Sequence, residues 1–410
     1  MLRKSRFLCR TVLLLCVVLF IQPAQTFAAQ GLPEIKAKSF ILMDFTSGAI
    51  LEEEMADEPR PPASMTKMMT QFIVLDKIKA GELNWDDEVT VSKRAAGVDE
   101  AQIHLKAGEK ETIRELLIGV AVQSANDAAV ALAEHVAGSE EAFVKLMNQK
   151  AKELGMKNTR YSNATGLDRR LYRDPPETEG EIMMSAHDAA ILASQLLKTH
   201  PEALEIMSKS TYTFREGTPR EQKVTNWNHM LPGLKQYYPG VDGVKTGHTD
   251  KAGYCFTGTA KREDFRLITV VMGTGSQTRR FSETKKLLDY GFNHFQLETL
   301  VAEKKAIPGY ASLPLPNGVE RTVPIVAKEE LKLPIHTGER NKYQWQVTFK
   351  PNLKAPLAAG TVIGQAKVLY EGKEIKGVAP IDVVTRVGVE EASWFRLFFR
   401  DIGDTVSSWF

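Results

Sequence analysis

Three short stretches, in this order along the chain, hold the residue types of a nucleophilic acyl-transfer site: Ser64-Met65-Thr66-Lys67, Ser124-Ala125-Asn126 and Lys245-Thr246-Gly247. A serine hydroxyl is a poor nucleophile until a base removes its proton. A lysine can be that base when burial and a neighbouring positive charge lower its pKa. Ser64 and Lys67 are three residues apart, so at a helix start they share one face. The same helix end aims free backbone N–H groups and a positive dipole at the site. Lys245 is positioned in sequence to supply the second positive charge. The set resembles the equipment of a serine enzyme that works without a catalytic histidine.

The other residues fit around that pair. Ser124 can relay a proton toward a leaving group and Asn126 can bind a substrate amide; equally, the two can form a polar break between helices. Lys245 and Thr246 can hold a carboxylate. Gly247 lets a substrate backbone come close. The backbone N–H of His248, with that of Ser64, can form an oxyanion hole. On a regular strand Lys245 and Gly247 face one way and Thr246 the other, so a twist or bulge is needed for all to serve one site. The competing reading is a plain hairpin edge, where lysine is common.

Motif matching alone does not select Ser64, because Ser282-Glu283-Thr284-Lys285 has the same spacing. That second match reads as a helix-opening serine and a solvent lysine. Ser64 differs in the apolar residues that follow it and in standing ahead of the other two motifs. The eight histidines show no HExxH-type pairing or other metal spacing, so neither metal nor cofactor is expected.

The positioning elements can be read from pattern. Ser39 to Asp44 and Ala49 to Glu53, joined by Thr46-Ser47-Gly48, form a hairpin signal. A helix opening at Ser64 carries Met65, Met68, Met69, Phe72, Ile73 and Leu75 around much of its circumference, as a buried helix does. A mostly helical middle runs from about Ile113 to His200, with Glu140 to Leu154 ending at Gly155 and a capping box at Ser185-Ala186-His187-Asp188. Strands return as Val241 to Gly247, Tyr254 to Ala260 and Leu267 to Gly273, with His248 to Lys251 as the first turn, and a closing helix runs from about Arg280 to Phe295. Strands at both ends of a helical insertion give an α+β fold: an antiparallel sheet with helices packed on it. Past Leu300, prolines punctuate short β-like runs, including Gln344 to Lys350 and Ala366 to Tyr370, which reads as a small all-β domain.

Both chain ends have their own texture. Arg3, Lys4, Arg6 and Arg10 precede an apolar run, Val12 to Ile21, that is short for a bilayer span, and Thr26 to Ala29 offer small residues for cleavage. Residues 1–29 therefore read as a secretory signal peptide, with an uncleaved anchor as the other possibility. That leader holds four of the 53 basic residues and none of the 51 acidic ones, so its loss turns a formal +2 into −2 and leaves no basic excess for nucleic acid. It also takes Cys9 and Cys16, leaving Cys255 alone as a buried, inert thiol and no internal disulfide. Residues 389–410 end in Trp394, Phe395, Phe398, Phe399, Ile402, Val406, Trp409 and Phe410 at helical spacing, with charged and hydroxyl residues between. That reads as an in-plane amphipathic membrane helix, or else as a terminal helix docked on the protein's own core.

With Pro62-Ala63 before the first motif, Gly155-Met156, Thr159, Asn163 and Gly166-Leu167 in the middle, and Gly240 to Thr249 around the third, the chain resembles the low-molecular-mass penicillin-binding proteins. Within them it is similar to the D-alanyl-D-alanine carboxypeptidases of the serine peptidase type. The likeness runs from about Ile35 to Phe295, and the β domain and tail suit the family. It implies a penicilloyl-serine transferase fold over residues 30–299, a small all-β domain over 300–388 and an amphipathic helix over 389–410. It also implies attack of Ser64 on the penultimate D-alanine carbonyl of a peptidoglycan stem pentapeptide, with Lys67 and Ser124 catalytic. Asn126, Lys245, Thr246, Gly247, His248 and Arg280 would bind substrate, Arg280 being the best match for a carboxylate-holding arginine with Arg279 beside it. The implied partners are stem peptides, β-lactams as covalent inhibitors and a membrane surface; the implied location is the outer face of a bacterial cytoplasmic membrane. A β-lactamase shares the first step, but no deacylating Glu-x-x-x-Asn-like loop occurs between Asp127 and Val244. A sensor that is acylated without turnover is the non-enzymatic competitor.

Overall fold

The computed structural model describes residues 31–407. The signal peptide expected over residues 1–29, and Trp409 and Phe410 of the tail, lie outside the described residues. From Glu34 onward the chain is one continuous body.

Strands β1 (Ser39–Asp44) and β2 (Ile50–Glu54) pair antiparallel with Leu42 opposite Glu52, as the turn residues between them require. Three further strands, β3 (Val241–Thr249), β4 (Gly253–Arg262) and β5 (Phe265–Thr274), complete one antiparallel sheet in the order β2-β1-β5-β4-β3. Every residue of β1 is buried because helices cover the sheet. β3 lies at the sheet's edge. It runs two residues beyond Gly247, so the turn falls at 250–252 rather than starting at His248.

Between β2 and β3 lie helices α1 (Lys67–Lys79), α2 (Asn126–Ala137), α3 (Glu140–Glu153) and α4 (Ala186–Thr199). Helix α1 is buried without a break from Lys67 to Leu75, as its all-round apolar sequence demands. A 3-10 turn, Ala63–Thr66, precedes it, so Ser64 sits in that turn and not in the α-helix proper. Ser139 and Ser185 cap α3 and α4, each accepting the N–H of the residue three positions on. The closing helix α5 (Gln277–His294) starts three residues earlier than the sequence pattern indicates, because Ser276 caps it by accepting the Arg279 N–H. Ser282 is thus an interior, exposed helix residue, not a helix opener.

The C-terminal part has its own core, built on Leu315, Val323, Leu333, Ile335, Ile363 and Val383. Strand Phe295–Val301 pairs antiparallel with Leu331–His336, and a second sheet orders Ser312–Pro314, Thr322–Ala327, Ile381–Thr385, Val362–Tyr370 and Tyr343–Phe349 side by side. The first of these strands runs across residues 299 and 300. Where this part meets the first sheet, the Ile50 N–H donates to the Lys376 carbonyl at 2.9 Å. Gly377, at φ +80°, lies so close to Gly48 that a Cβ would sit 2.0 Å from the Gly48 carbonyl oxygen. Helix α6 (Trp394–Ser407) ends the described chain. Its Arg400 donates to the Gly318 carbonyl at 2.6 Å and its Asp404 pairs with Arg321 at 2.9 Å, while Trp394, Phe395, Phe398, Phe399 and Ile402 are exposed. Among the described residues no helix is long and apolar enough to cross a membrane.

Candidate active site

The 3-10 turn that carries Ser64 is wedged between two glycines. A Cβ on Gly247 of β3 would lie 2.6 Å from the Pro62 carbonyl oxygen. One on Gly166, at φ +85°, would lie 1.9 Å from the Ala63 carbonyl oxygen. Both positions need glycine because backbone meets backbone there. Gly247 therefore admits the turn that carries Ser64.

Lys67 Nζ is fully buried and lies 3.0 Å from Ser64 Oγ, 2.7 Å from Asn126 Oδ1 and 2.8 Å from the Thr165 carbonyl oxygen. Asn126 is held in turn by donating Nδ2 to the Asp99 carbonyl at 2.7 Å, which orients Oδ1 toward the lysine. Burial lowers the Lys67 pKa well below the ordinary lysine range, the positive charge of Lys245 lowers it further, and Asp127 opposes them. A neutral amine has two N–H bonds and one lone pair. Asn126 Oδ1 and the Thr165 carbonyl match the two N–H bonds, which leaves the lone pair toward Ser64 Oγ. That is the geometry of a base ready to take the hydroxyl proton.

Ser124 ends a π-helical turn, Gly119–Gln123, in a left-handed conformation at φ 61° and ψ 30°. A non-glycine residue there is strained and persists only where its surroundings hold it. Its Oγ accepts from Lys245 Nζ at 2.9 Å. Lys245 is buried, and its pKa is pushed down to about 7 by burial and then by Arg280. Lys245 thus serves Ser124 directly and acts on Lys67 through charge. Arg280, buried in α5, donates to the Gly247 carbonyl at 3.3 Å, and its equally buried Nε has no hydrogen-bond partner among the described residues. Burial lowers its pKa to about 10. Its neighbour Arg279 is exposed.

Ser64, Ser124, Asn126, Thr246, Gly247, His248 and Arg280 line one cavity of about 400 Å³, with Lys67 and Lys245 in the wall behind it. The facing problem posed by strand alternation is resolved by topology and not by a bulge: pairing is regular from Gly243 to Thr249, but β3 is an edge strand and consecutive residues 246–249 border the cavity. The His248 ring is exposed and stacks on Tyr254 with centroids 4.0 Å apart. The competing Lys285 is exposed. Cys255 is buried, its thiol pushed up to about 11 by burial. Among the described residues no cluster of three or more His, Cys, Asp or Glu side chains can hold a metal ion.

Sequence reasoning left out three contributors: the Thr165 carbonyl, the Asp127 charge and Trp227, which lines the cavity and donates its indole N–H to the Gln123 carbonyl at 3.1 Å. A backbone carbonyl has no residue signature. Trp227 stands in a stretch with no motif around it, so neither had a local signal.

Comparison with known proteins agrees with this architecture. Residues 25–276 match the D-alanyl-D-alanine carboxypeptidase family, and residues 295–391 match the family described as the C-terminal domain of penicillin-binding protein 5. The chain is 35% identical over 374 residues to the D-alanyl-D-alanine carboxypeptidase DacF of Bacillus subtilis, 90% of each chain being covered. It is similar to the crystal structure of penicillin-binding protein 5 from Haemophilus influenzae, at 33% identity and a TM-score of 0.75, covering 88% of this chain and 99% of that one. It is also similar to penicillin-binding protein D2 of Listeria monocytogenes in the ampicillin-bound form, at 35% identity and a TM-score of 0.55, covering 64% of this chain and all of that one.

Proposed function

Because the chain belongs to the D-alanyl-D-alanine carboxypeptidase family, we propose that it removes the terminal D-alanine from peptidoglycan stem pentapeptides through an acyl-enzyme on Ser64. The observation that carries this reading is the desolvated Lys67 amine 3.0 Å from Ser64 Oγ, with both of its N–H bonds already matched. Neutral Lys67 takes the proton from Ser64 Oγ as Oγ attacks the penultimate carbonyl. The backbone N–H groups of Ser64 and His248 hold the oxyanion. The Ser124–Lys245 pair passes a proton to the departing D-alanine nitrogen, which breaks the C–N bond. Thr246 and Arg280, both in the cavity lining, hold the terminal carboxylate, the guanidinium supplying the positive charge. Water then attacks the ester and gives a proton to the Ser124–Lys245 pair, while Lys67 returns its proton to Ser64 Oγ as the ester C–O bond breaks, so every group is reset. A β-lactam enters by the same attack, its ring amide taking the place of the peptide bond, and remains as a penicilloyl ester.

The proposed division of labour is catalysis by residues 30–299, a small β domain over 300–388 whose strand Phe295–Val301 begins ahead of that boundary, and a membrane-surface helix over 389–410. The exposed aromatic face of α6 supports the last of these, since Trp and Phe favour the headgroup boundary. The protein would then be exported and peripheral on the outer face of the cytoplasmic membrane.

The test is D-alanine release from a diacyl-Lys-D-Ala-D-Ala tripeptide, with and without prior penicillin. Release that penicillin blocks and that Ser64→Ala abolishes is expected. Rapid penicillin hydrolysis without release would make the chain a β-lactamase; a stable adduct without release would make it a sensor. Deleting 393–410 is expected to leave activity intact and to abolish sedimentation with anionic vesicles; undiminished sedimentation would refute the anchor.

A further inference from the structure

Glu140 is a fully buried carboxylate that the chemistry above leaves without a role. It opens helix α3 and turns inward, behind the cavity. Its Oε1 accepts the Ala164 N–H at 2.9 Å and the Tyr172 hydroxyl at 3.0 Å. The same Tyr172 hydroxyl lies 2.8 Å from Thr165 Oγ1. Its Oε2 faces Arg94 at 3.3 Å. One carboxylate oxygen therefore restrains the Ala164-Thr165 segment from both sides, directly at Ala164 and through Tyr172 at Thr165. The Thr165 carbonyl is one of the two acceptors that orient Lys67 Nζ.

We propose that Glu140 is a positioning residue for acylation: by fixing the Ala164-Thr165 segment it aims the Thr165 carbonyl at Lys67 and so keeps the lysine lone pair on Ser64 Oγ. This rests on the reading of Ser64 and Lys67 given above. The geometry explains why a costly buried carboxylate sits there. Burial without hydrogen bonds is strongly unfavourable, and here the two bonds land on the segment that serves the base. It also separates shape from charge. Both hydrogen bonds use Oε1, which glutamine retains, whereas the charge faces Arg94 on the far side. Glu140 does not touch substrate, so its loss should slow the chemical step and leave substrate binding alone.

The experiment compares the wild-type chain, Glu140→Ala, Glu140→Gln and Tyr172→Phe by steady-state D-alanine release and by the rate of acylation with a fluorescent penicillin, after circular dichroism shows each to be folded. Glu140→Ala is expected to lose roughly 10–100-fold in kcat, of the order seen when reacting groups are misplaced by about 1 Å, with KM within twofold. Glu140→Gln is expected to recover to within threefold of wild type. Tyr172→Phe, which removes only the hydroxyl and serves if Glu140→Ala does not fold, is expected to lower kcat at unchanged KM. A folded Glu140→Ala or Tyr172→Phe with wild-type kcat overturns the proposal. So does a Glu140→Gln variant as slow as Glu140→Ala, because the charge would then be what matters. A wild-type chain that neither releases D-alanine nor takes up penicillin overturns the reading of the site, and this inference with it.

Discussion

Gly247→Ala is the substitution with the best-defined cost. The backbone of Gly247 is not in the left-handed region, so alanine meets no conformational objection there. The objection is steric. The new methyl would lie 2.6 Å from the Pro62 carbonyl oxygen, 3.2 Å from the Met65 nitrogen and 3.3 Å from Ala63 Cβ. Ordinary contact begins near 3.4 Å, so the gap to Pro62 must open by about 0.8 Å. The turn cannot retreat, because Gly166 closes it on the other side at a distance that would put a Cβ 1.9 Å from the Ala63 oxygen. The edge strand must therefore move away from Ser64, taking Thr246 and His248 with it. Overpacking of this kind costs about 1–3 kcal/mol of stability. A misplacement of about 1 Å between reacting groups costs about 10²-fold in rate. Pseudo-first-order acylation by a fluorescent penicillin, followed beside thermal unfolding, reads both. We expect a folded, somewhat destabilised protein acylated about 100-fold more slowly. Acylation within threefold of wild type at an unchanged melting temperature would refute the claim that strand and turn are in contact at this point.

Three further outcomes follow from the same site. The folded-state pKa of Lys245, near 7, lies below its unfolded value, so its penalty is complete below pH 7 and fades up to about pH 10.5. Stability should therefore rise between pH 7 and pH 9, and Lys245→Met should show a smaller rise in denaturant titrations at those two pH values; equal slopes would place the titration elsewhere. Arg280→Gln should raise KM at least tenfold for a substrate with a free terminal carboxylate and leave a terminal-carboxamide analogue little changed, since only the former carries the charge to be bound; equal losses on both would remove Arg280 from carboxylate recognition. Cys255, buried with its thiol held near 11, should stay unreactive toward a thiol-specific disulfide reagent in the native protein and react at once in denaturant; prompt native labelling would contradict its burial.

Much of the site was legible because its chemistry is concentrated in short local patterns. Ser64 and Lys67 are joined by one helical turn, and Lys245 and Gly247 by one strand, so spacing alone constrains each pair. The hairpin of β1 and β2 and the capped starts of α3 and α4 were also local, set by turn and cap residues. Boundaries that depended on a distant partner were less legible. The strand of Lys245 continues to Thr249 because β4 pairs with it that far, and α5 begins at a serine cap three residues before its apolar pattern. For the same reason Ser282 lies inside α5 and does not open it, whereas Lys285 is exposed as its sequence context indicated.

Sequence by itself determined the candidate set: a serine with a lysine three positions on, a second serine with its asparagine, a second lysine before a glycine, and the order in which they occur. It also determined the α+β layout, because apolar periodicity and turn residues are properties of neighbouring positions. Spacing already paired Lys67 with Ser64; only the tertiary structure decided which distant groups each lysine meets. Lys67 meets Ser64, Asn126 and the Thr165 carbonyl, while Lys245 meets Ser124, and those contacts join residues 59, 98 and 121 positions apart. Only the fold could bury both amines in one wall, and desolvation, the largest influence on each pKa, exists only once the chain has closed around them.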